Sequence, residues 1–432
     1  MKQLFKNCDI LATENGAFRV IRNGFLGIDG TNIDYIGETR PGQAYDSEKD
    51  MRGKLLAPGL INCHGHSPMV LLRGIGSDLP LHEWLFEQMM PIEDRLTADD
   101  IRIGNQLALL EMIACGTTSY SDMYFEMEAV AENTIAAGMR ANLCRPVVFP
   151  DEQEKYEDSV RVKQSLELFR AYNGAADGRI KVDFSIHAEY TSFPEVIERY
   201  SADCKSHGGR IHIHLSETRR EHDACVAKYG KTPAKWFYDL GTFDSPTAAA
   251  HCVWVTDEDL EILKAKDVSV VHNPTSNLKL GSGFAPIPKM LEQGIRVTIG
   301  TDGAASNNNL NMMEELHLAA IMHNGYHLDP VIMNPAQVLT MATANGAALQ
   351  GRADTGALAV GKKADLIAFQ LDRPHMMPDF NALALLTYSA QGSDVCLTMV
   401  DGKILYENGE YLTLDAEKIR FEAEAALKRI YG

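Results

Sequence analysis

Two His-x-His pairs are the residues best suited to chemistry in this sequence. His64-Gly-His66 ends one apolar run, and His212-Ile-His214 ends another, with Glu217 three residues beyond His214. Because alternate residues of a strand point to the same side, His64 and His66 can share one ion. An isolated His-x-His pair is common by chance. It indicates a metal site only if further ligand-type residues lie at the ends of other strands.

Two further candidate residues end other apolar runs of the middle region. One run ends at His251 and another at Asp302. The imidazoles of His64, His66 and His214, with the Asp302 carboxylate, suit a single divalent cation, zinc first and iron as the alternative. Such an ion lowers the pKa of its bound water to about 7, so hydroxide is available at neutral pH.

Three residues are predicted to be catalytic at this site: Glu217, His251 and Asp302. Glu217 follows the ligand His214 closely, so it can take a proton from the water and deliver it to the substrate. His251 can hydrogen-bond the attacking oxygen and the tetrahedral centre that forms. Asp302 serves as both ligand and catalytic carboxylate.

The remaining histidines are predicted to be structural. His212 and His272 lie on predicted strands, and we expect buried, hydrogen-bonded imidazoles there, with direct contact to the metal site as the open alternative. Isolated histidines are more often core or surface residues than ligands, and this applies to His207, His222, His323, His327 and His375.

The middle of the chain must supply the elements that position these side chains. Helix-like segments separate most of its eight apolar runs, which lie near residues 55–62, 117–122, 140–145, 180–187, 210–216, 247–251, 268–272 and 296–302. One helix is predicted between Thr97 and Cys115, with Thr97 as cap, Asp100 three residues on and Gly116 as stop. Eight strands with intervening helices predict an α/β fold, a (β/α)₈ TIM barrel with its chemistry at the carboxyl ends of the strands.

Both ends of the chain are β-rich and differ from the middle. Short apolar runs alternate there with Asn-Gly and Asp-Gly turns, which are strong hairpin signals. We therefore predict one small β-sandwich formed from both chain ends. The predicted domains are residues 1–57 and 357–432 for the sandwich, the latter with a C-terminal helix, and residues 58–356 for the metal-dependent barrel.

Composition and charge exclude several classes of protein. The 432 residues carry 41 Lys and Arg against 59 Asp and Glu, a net charge of −18, which disfavours nucleic acid as a partner. No apolar stretch approaches the ~18 residues of a membrane span, and the start lacks the features of a secretory signal. The eight cysteines form no Cys-x-x-Cys pair, which is typical of free thiols in a reducing compartment and predicts a cytoplasmic protein.

These motifs together resemble the amidohydrolase superfamily. The resemblance rests on Pro58-Gly-Leu-Ile-Asn-Cys-His64-Gly-His66, His212-Ile-His214-Leu-Ser-Glu217, Ala250-His251-Cys and Gly300-Thr-Asp302-Gly, and it covers nearly the whole chain. Many members bridge two metals with a lysine at the end of the fourth strand. Here that strand ends Ser185-Ile-His187, and Lys181 lies at its other end, so the chain is more similar to the mononuclear deaminases.

Within that branch the sequence is most similar to the 5-methylthioadenosine/S-adenosylhomocysteine deaminases. The resemblance implies a small-molecule nucleoside substrate, deaminated by hydrolysis at purine C6, and a homo-oligomer. It also implies that Glu93 holds the ribose hydroxyls, His187 contacts the purine and Trp84 packs near the 5′ substituent. The other implied substrate contacts are Arg145 to a tail carboxylate, Ser306 towards the 5′ tail, and His214 and Glu217 at the reacting end.

One departure from the family concerns the tail. Members that accept a homocysteine tail commonly have a second arginine soon after the first, whereas here an acidic run separates Arg145 from Arg161. Such a run would repel a carboxylate if it lined the pocket. We therefore predict that small apolar 5′ groups are preferred.

Two alternatives remain open at this point. The same scaffold could deaminate guanine, cytosine or a pterin, or dechlorinate a triazine. It could also be a non-catalytic scaffold protein, although such relatives usually lose metal ligands and this chain retains them all.

Overall fold

The computed structural model describes residues 1–432. Its strands in chain order are β1 (Lys2–Glu14), β2 (Ala17–Asp29), β3 (Asn32–Gly37), β4 (Ser47–Asp50), β5 (Lys54–Pro58), β6 (Leu60–Gly65), β7 (Thr117–Met123), β8 (Arg140–Cys144), β9 (Pro146–Val147), β10 (Ile180–Val182), β11 (Phe184–Ile186), β12 (Ile211–Leu215), β13 (Thr247–His251), β14 (Ser269–His272), β15 (Val297–Ile299), β16 (Leu366–Gln370), β17 (Val395–Val400), β18 (Lys403–Glu407) and β19 (Glu410–Tyr411).

Helices connect most of the middle strands. They are α1 (Leu81–Glu83), α2 (Met90–Glu93), α3 (Ala98–Ala114), α4 (Met127–Ala137), α5 (Val160–Tyr172), α6 (Pro194–Ser206), α7 (Arg219–Tyr229), α8 (Pro233–Asp239), α9 (Asp257–Ala265), α10 (Pro274–Lys279), α11 (Ile287–Glu292), α12 (Met312–His327), α13 (Pro335–Met341), α14 (Ala344–Leu349), α15 (Ala382–Tyr388) and α16 (Ala416–Tyr431). A π-helical segment, Trp84–Met89, joins α1 to α2. None of the helices combines the length and apolar character needed to cross a bilayer.

Helix α3 shows how closely local sequence sets an element. Its N-cap is Thr97, whose hydroxyl accepts a hydrogen bond from the Asp100 backbone N–H, and the Asp100 carboxylate accepts from the Thr97 N–H in return. This reciprocal capping box satisfies two N–H groups that the first turn leaves without partners. The helix predicted between Thr97 and Cys115 is confirmed.

The middle strands are parallel and form two hydrogen-bonded sheets. One has the order β10-β8-β7-β6, and the other the order β15-β14-β13-β12-β11-β9. Because β8 is followed at once by β9, and β10 by β11, the same two stretches of chain contribute to both sheets. The Asp302 N–H, just beyond β15, donates to the His64 carbonyl on β6 at 2.9 Å. The architecture is α/β and TIM-barrel-like.

Strands from both chain ends join in one nine-stranded sheet. Its order is β19-β18-β17-β16-β5-β1-β2-β3, with β4 paired to β1. A separate apolar core lies against it, with residues from both ends such as Phe5, Ile10, Leu366 and Leu397. Arg140 of β8 forms buried ion pairs with Asp365 and Asp401, which tie the middle of the chain to this sheet.

The first predicted strand is divided in two. Residues 55–62 were expected to form one barrel strand, but β5 belongs to the terminal sheet and β6 to the middle one, with Gly59 between them. A Cβ at Gly59 would lie 2.2 Å from Thr118 Oγ1, so only glycine fits this crossing point. His64 and His66 therefore lie at the end of β6 alone.

Candidate metal centre and active site

Four side chains from three strand ends converge on one point. One ligand atom from each of His64, His66 and His214 lies within 4.8 Å of the others. Asp302 Oδ1 is 3.5 Å from His64 Nε2 and 3.2 Å from His66 Nε2. His214 Nε2 lies 3.4 Å from His66 Nε2. The sequence thus placed these four residues correctly with respect to one another.

Hydrogen bonds at the far side of each ring orient the Nε2 atoms. His66 Nδ1 donates to the Met123 carbonyl at 2.6 Å, and His214 Nδ1 donates to the His187 carbonyl at 2.8 Å. In the neutral form of each ring the lone pair is therefore on Nε2, at the common point, as in metal-binding histidines. The buried Nε2 of His64 has no hydrogen-bond partner at all. This donor set fits one divalent ion.

The charges at the site are strongly coupled. Burial lowers the pKa of His64 to about 4 and holds that of His214 well below its ordinary value. Burial opposes charge on His66 too, but the adjacent Asp302 carboxylate raises its pKa to about 9. Burial acts against the ionised form of Asp302, yet the adjacent imidazoles of His64 and His66 hold its pKa well below the ordinary value. A cation binding here therefore competes with a proton on His66.

Glu217 and His251 lie side by side next to this cluster. Glu217 Oε2 is 3.6 Å from His251 Nε2, and both residues are almost fully buried. His251 Nδ1 donates to Asn277 Oδ1 at 2.9 Å, which leaves Nε2 facing the carboxyl group. Burial, followed by the negative charge of Asp302, raises the pKa of Glu217 well above its ordinary value. A carboxylate whose pKa is raised in this way is a stronger proton acceptor than an ordinary glutamate.

The backbone at these strand ends has left-handed conformations. The φ angles are 46° at Ser216, 72° at His251, 49° at Cys252 and 63° at Asp302. Non-glycine residues rarely adopt such values, and they persist where the surrounding structure enforces them. For Asp302 the enforcing contacts include Oδ2, which accepts from the Ser276 hydroxyl at 2.6 Å.

Two of the predicted substrate residues, His187 and Glu93, lie near the proposed metal ligands. The His187 ring centroid is 4.8 Å from that of His214, and burial lowers the pKa of His187 to about 4. Glu93 accepts a hydrogen bond at 2.5 Å from Tyr124, whose ring lies 6.5 Å from His66. Burial also raises the pKa of Glu93.

Trp84 lies in the π-helical segment of residues 84–89. It is 6% exposed, and its Nε1 has no hydrogen-bond partner. The ring packs within the apolar core that also contains Met69 and Tyr124. Trp84 is thus a core residue, in the same apolar cluster as Tyr124.

The two predicted tail residues make contacts that the sequence did not predict. The Ser306 hydroxyl donates to Asp302 Oδ2 at 2.9 Å, so it supports a metal ligand directly. Arg145 Nε donates to Gln164 Oε1 at 3.1 Å, and Nη1 donates to the Pro146 carbonyl at 2.8 Å. Burial, followed by the charge of Arg161, lowers the pKa of Arg145, so the two guanidinium groups are near enough to interact.

His212 and His272, for which two interpretations were open, differ. His212 is a buried, hydrogen-bonded imidazole as predicted, with Nε2 3.0 Å from His64 Nδ1. The prediction of a hydrogen-bonded ring was wrong for His272, which is fully buried but has no partner for either nitrogen. Since β14 turns Val271 towards the interior core, His272 faces the helices.

Several supporting residues were not found from the sequence. Tyr124, Asn277 and Ser276 contact Glu93, His251 and Asp302 respectively. Tyr124 comes directly after β7, and Ser276 and Asn277 lie in α10, which follows β14.

Comparison with known proteins defines the class. Residues 55–405 match the profile of the Amidohydrolase family. The chain belongs to the amidohydrolase family, as the motifs predicted.

Individual relatives are similar along their full length. The chain is 45% identical over 425 residues to the 5-methylthioadenosine/S-adenosylhomocysteine deaminase of Caldanaerobacter subterraneus subsp. tengcongensis, covering 98% of this chain and 97% of that protein. It is 43% identical over 427 residues to the 5′-deoxyadenosine deaminase of Methanosarcina acetivorans, covering 99% and 98%. A crystal structure of an adenosine deaminase from Xanthomonas campestris with bound zinc superposes with a TM-score of 0.93 at 30% identity, covering 99% of this chain and 98% of that one.

Proposed function

We propose that this protein is a metal-dependent hydrolytic deaminase of 5′-modified adenosines. Its substrates would be 5′-methylthioadenosine, S-adenosylhomocysteine, 5′-deoxyadenosine or adenosine, and its products the inosine derivatives and ammonia. The observation that carries the proposal is the convergence of three imidazoles and Asp302 beside the Glu217–His251 pair. The activities for which the two curated relatives are named support the choice of substrate.

The ion would be held by His64, His66, His214 and Asp302. We propose zinc, with iron as the alternative, because imidazole and carboxylate ligands suit both and the similar adenosine deaminase holds zinc. When bound, such an ion lowers the pKa of a coordinated water to about 7.

Glu217 would handle the protons of the reaction. It accepts the proton released by the attacking water and passes it to the ring nitrogen next to C6. It then takes the second proton from the new C6 hydroxyl, as the C6 carbonyl forms, and delivers it to the leaving amino group. In balance, a C6–O bond forms, the C6–N bond breaks and ammonia departs. His251 would hydrogen-bond the attacking oxygen through Nε2, because Asn277 occupies its Nδ1.

Other residues would bind the nucleoside. Glu93 would accept hydrogen bonds from both ribose hydroxyls, with Tyr124 fixing its other side. His187, beside His214, would contact the purine, and Trp84 would pack against the 5′ substituent. In this arrangement His214 and Glu217 also line the reacting end of the substrate.

Arg145 and Ser306 are proposed to face the 5′ tail. Arg161 lies near Arg145 but forms an ion pair of 3.5 Å with Glu154 of the intervening acidic run, so its charge is partly neutralised. We therefore expect a higher kcat/KM for 5′-methylthioadenosine than for S-adenosylhomocysteine. Steady-state kinetics on both nucleosides would decide, and a clear preference for the homocysteine compound would refute the expectation.

We also propose the finer architecture. The two parallel sheets would form one (β/α)₈ barrel of residues 58–356, linked between β15 and β6 by the Asp302–His64 hydrogen bond. Residues 1–57 and 357–432 would form the small β-sandwich, with α16 as the C-terminal helix. Residues at the barrel mouth would form one site in each subunit. The protein would be a homo-oligomer, and sedimentation analysis would test this oligomeric state.

A substrate screen with metal analysis tests the proposed function. Ammonia release would be measured for adenosine and its 5′-modified forms beside guanine, cytosine, a pterin and a triazine. We expect release from the adenosines and about one equivalent of metal per chain. Turnover confined to another substrate would support one of the alternative amidohydrolase reactions. No turnover of any substrate, with less than one equivalent of metal, would favour a non-catalytic scaffold.

A further inference from the structure

Two buried acidic side chains lie just behind the proposed catalytic carboxyl group. Glu189 belongs to a 3-10 turn, Glu189–Thr191, that follows His187 and β11, and Glu221 lies in the first turn of α7 after Glu217. Glu189 is 2% exposed and Glu221 is 8% exposed. Neither forms an ion pair with a lysine or arginine, which is unusual for two buried acids.

Glu221 is attached directly to the segment that carries Glu217. Its Oε2 accepts hydrogen bonds from the backbone N–H of Glu217 at 2.9 Å and from that of Thr218 at 3.3 Å. The position of the Glu217 backbone therefore depends on where the Glu221 carboxylate lies. The second contact is an ordinary capping interaction, whereas the first reaches back to the catalytic residue.

One oxygen of each acid is buried without a partner. Neither Glu221 Oε1 nor Glu189 Oε2 accepts a hydrogen bond from any donor. The two acids are neighbours, and each carboxyl group acts on the pKa of the other. Two neighbouring ionised carboxylates would repel each other, whereas one proton shared between these two oxygens would satisfy both.

We infer that Glu189 is held as a neutral acid that donates a hydrogen bond to Glu221, and that this pair positions Glu217. The inference rests on the proposed role of Glu217 and extends it to residues that do not touch the substrate. The hydrogen bond between Glu189 and Glu221 would link the loop that carries His187 to the segment that carries Glu217. The purine-binding and proton-transfer groups are then fixed relative to each other.

The surrounding charges agree with this assignment of the proton. Burial, and then the negative charge of Glu221, raises the pKa of Glu189 well above its ordinary value. Burial also raises the pKa of Glu221, but the N–H groups of Thr218 and Glu217 stabilise its charge. The other ionisable groups that face the pair are Tyr190, Glu217, Cys225 and His251.

Three variants test the pair. Glu189→Gln keeps a hydrogen-bond donor without a titrating proton, Glu189→Leu removes the donor, and Glu198→Gln is the control at an exposed position of α6. Each purified enzyme would be assayed for metal content, for kcat and KM with 5′-methylthioadenosine, and by infrared difference spectroscopy for protonated carboxyl groups.

We expect the wild-type minus Glu189→Gln infrared difference spectrum at neutral pH to contain the band of a protonated carboxyl group. The wild-type minus Glu198→Gln spectrum should lack this band. Glu189→Gln should keep kcat close to wild type. Glu189→Leu should keep its metal but lose kcat by ~10–100-fold, because Glu217 is displaced. Rescue by the amide but not by leucine would identify a positioning role.

The outcomes separate the pair from the proposed function. Absence of the band, or normal kcat in a folded Glu189→Leu, would overturn the pair while leaving deaminase activity intact. If Glu189→Leu does not fold, the band and the kcat of Glu189→Gln still decide. If the wild-type protein shows the band but deaminates no adenosine, the proposed function and the positioning role are both overturned. Only the protonated state of Glu189 would then stand.

Discussion

The molecule contains two groups of buried histidines that differ in what holds their rings. In the metal-centre group, His66 and His214 donate from Nδ1 to backbone carbonyls, and their Nε2 atoms lie 3.4 Å apart. His66 Nε2 also lies 3.2 Å from the Asp302 carboxylate. In the second group, His272 of β14 and His323 of α12 have ring centroids 5.4 Å apart, and none of their four nitrogens has a partner.

The difference shows what distinguishes ligands from buried imidazoles. Burial and proximity occur in both groups, so neither is diagnostic. The metal-centre group has in addition a fixed tautomer and a carboxylate at 3.2–3.5 Å. The second group has no carboxylate among its contacts, and we expect it to contribute to packing alone.

Removal of the shared carboxylate should have the largest effect. We expect Asp302→Ala to lower the metal content below one equivalent and to reduce kcat/KM by at least ~10⁴-fold, since a ligand and a catalytic group are lost together. Elemental analysis and ammonia release measure both. Retention of metal and activity would place the ion elsewhere.

Loss of the proton carrier should come next. We expect Glu217→Gln to bind metal as wild type does and to lose kcat by ~10²–10⁴-fold, because the amide cannot transfer the proton. Loss of the adenosine absorbance band follows the reaction. Full activity in this variant would remove Glu217 from the proposed chemistry.

A smaller effect is expected from the residue behind the ligands. His212 Nε2 contacts His64 Nδ1 at 3.0 Å, so His212→Phe should weaken metal affinity by about 10–100-fold without removing a ligand. Titration with a competing chelator measures the affinity. An unchanged affinity would show that His64 needs no such support.

The smallest effect should come from the second group. Burial lowers the pKa of His272, and it lowers that of His323 to about 4. Unfolded imidazoles bind protons near pH 6.5, so wild type should lose stability as the pH falls from about 6.5 to about 4. We expect His272→Leu/His323→Leu to lose less over that range and to keep its activity and metal.

Thermal unfolding at several pH values between 4 and 8 checks this prediction. Loss of metal in the double variant would show that the two groups are coupled, which would remove the contrast between them. Parallel pH curves for the two proteins would show that these rings do not titrate on unfolding.

The convergence of the four proposed metal ligands could be predicted from the sequence because each stands at the end of a recognisable strand. His64 and His66 share a face by simple alternation, and parallel strands bring His214 and Asp302 to the same edge. Helix α3 was equally accessible because Thr97 and Asp100 define its start locally.

Contacts between loops could not be predicted in this way. The Tyr124–Glu93 hydrogen bond joins the residue after β7 to the last residue of α2, and the Ser306–Asp302 hydrogen bond lies within the loop after β15, so neither follows from a strand or helix pattern. The division of the first strand at Gly59 could not be predicted either, because residues 55–62 form one nearly continuous apolar run in the sequence. Only the partner strands show that β5 and β6 belong to different sheets.

The position of β5 has a consequence for synthesis of the chain. It lies between β1 and β16 in the terminal sheet, and it leads through Gly59 into the strand that ends at His64. A nascent polypeptide on the ribosome has this edge uncovered until Leu366 and the residues after it emerge. If the chain left the ribosome before that point, β5 would have an unpaired edge next to an incomplete metal site. Unpaired strand edges of this kind promote aggregation.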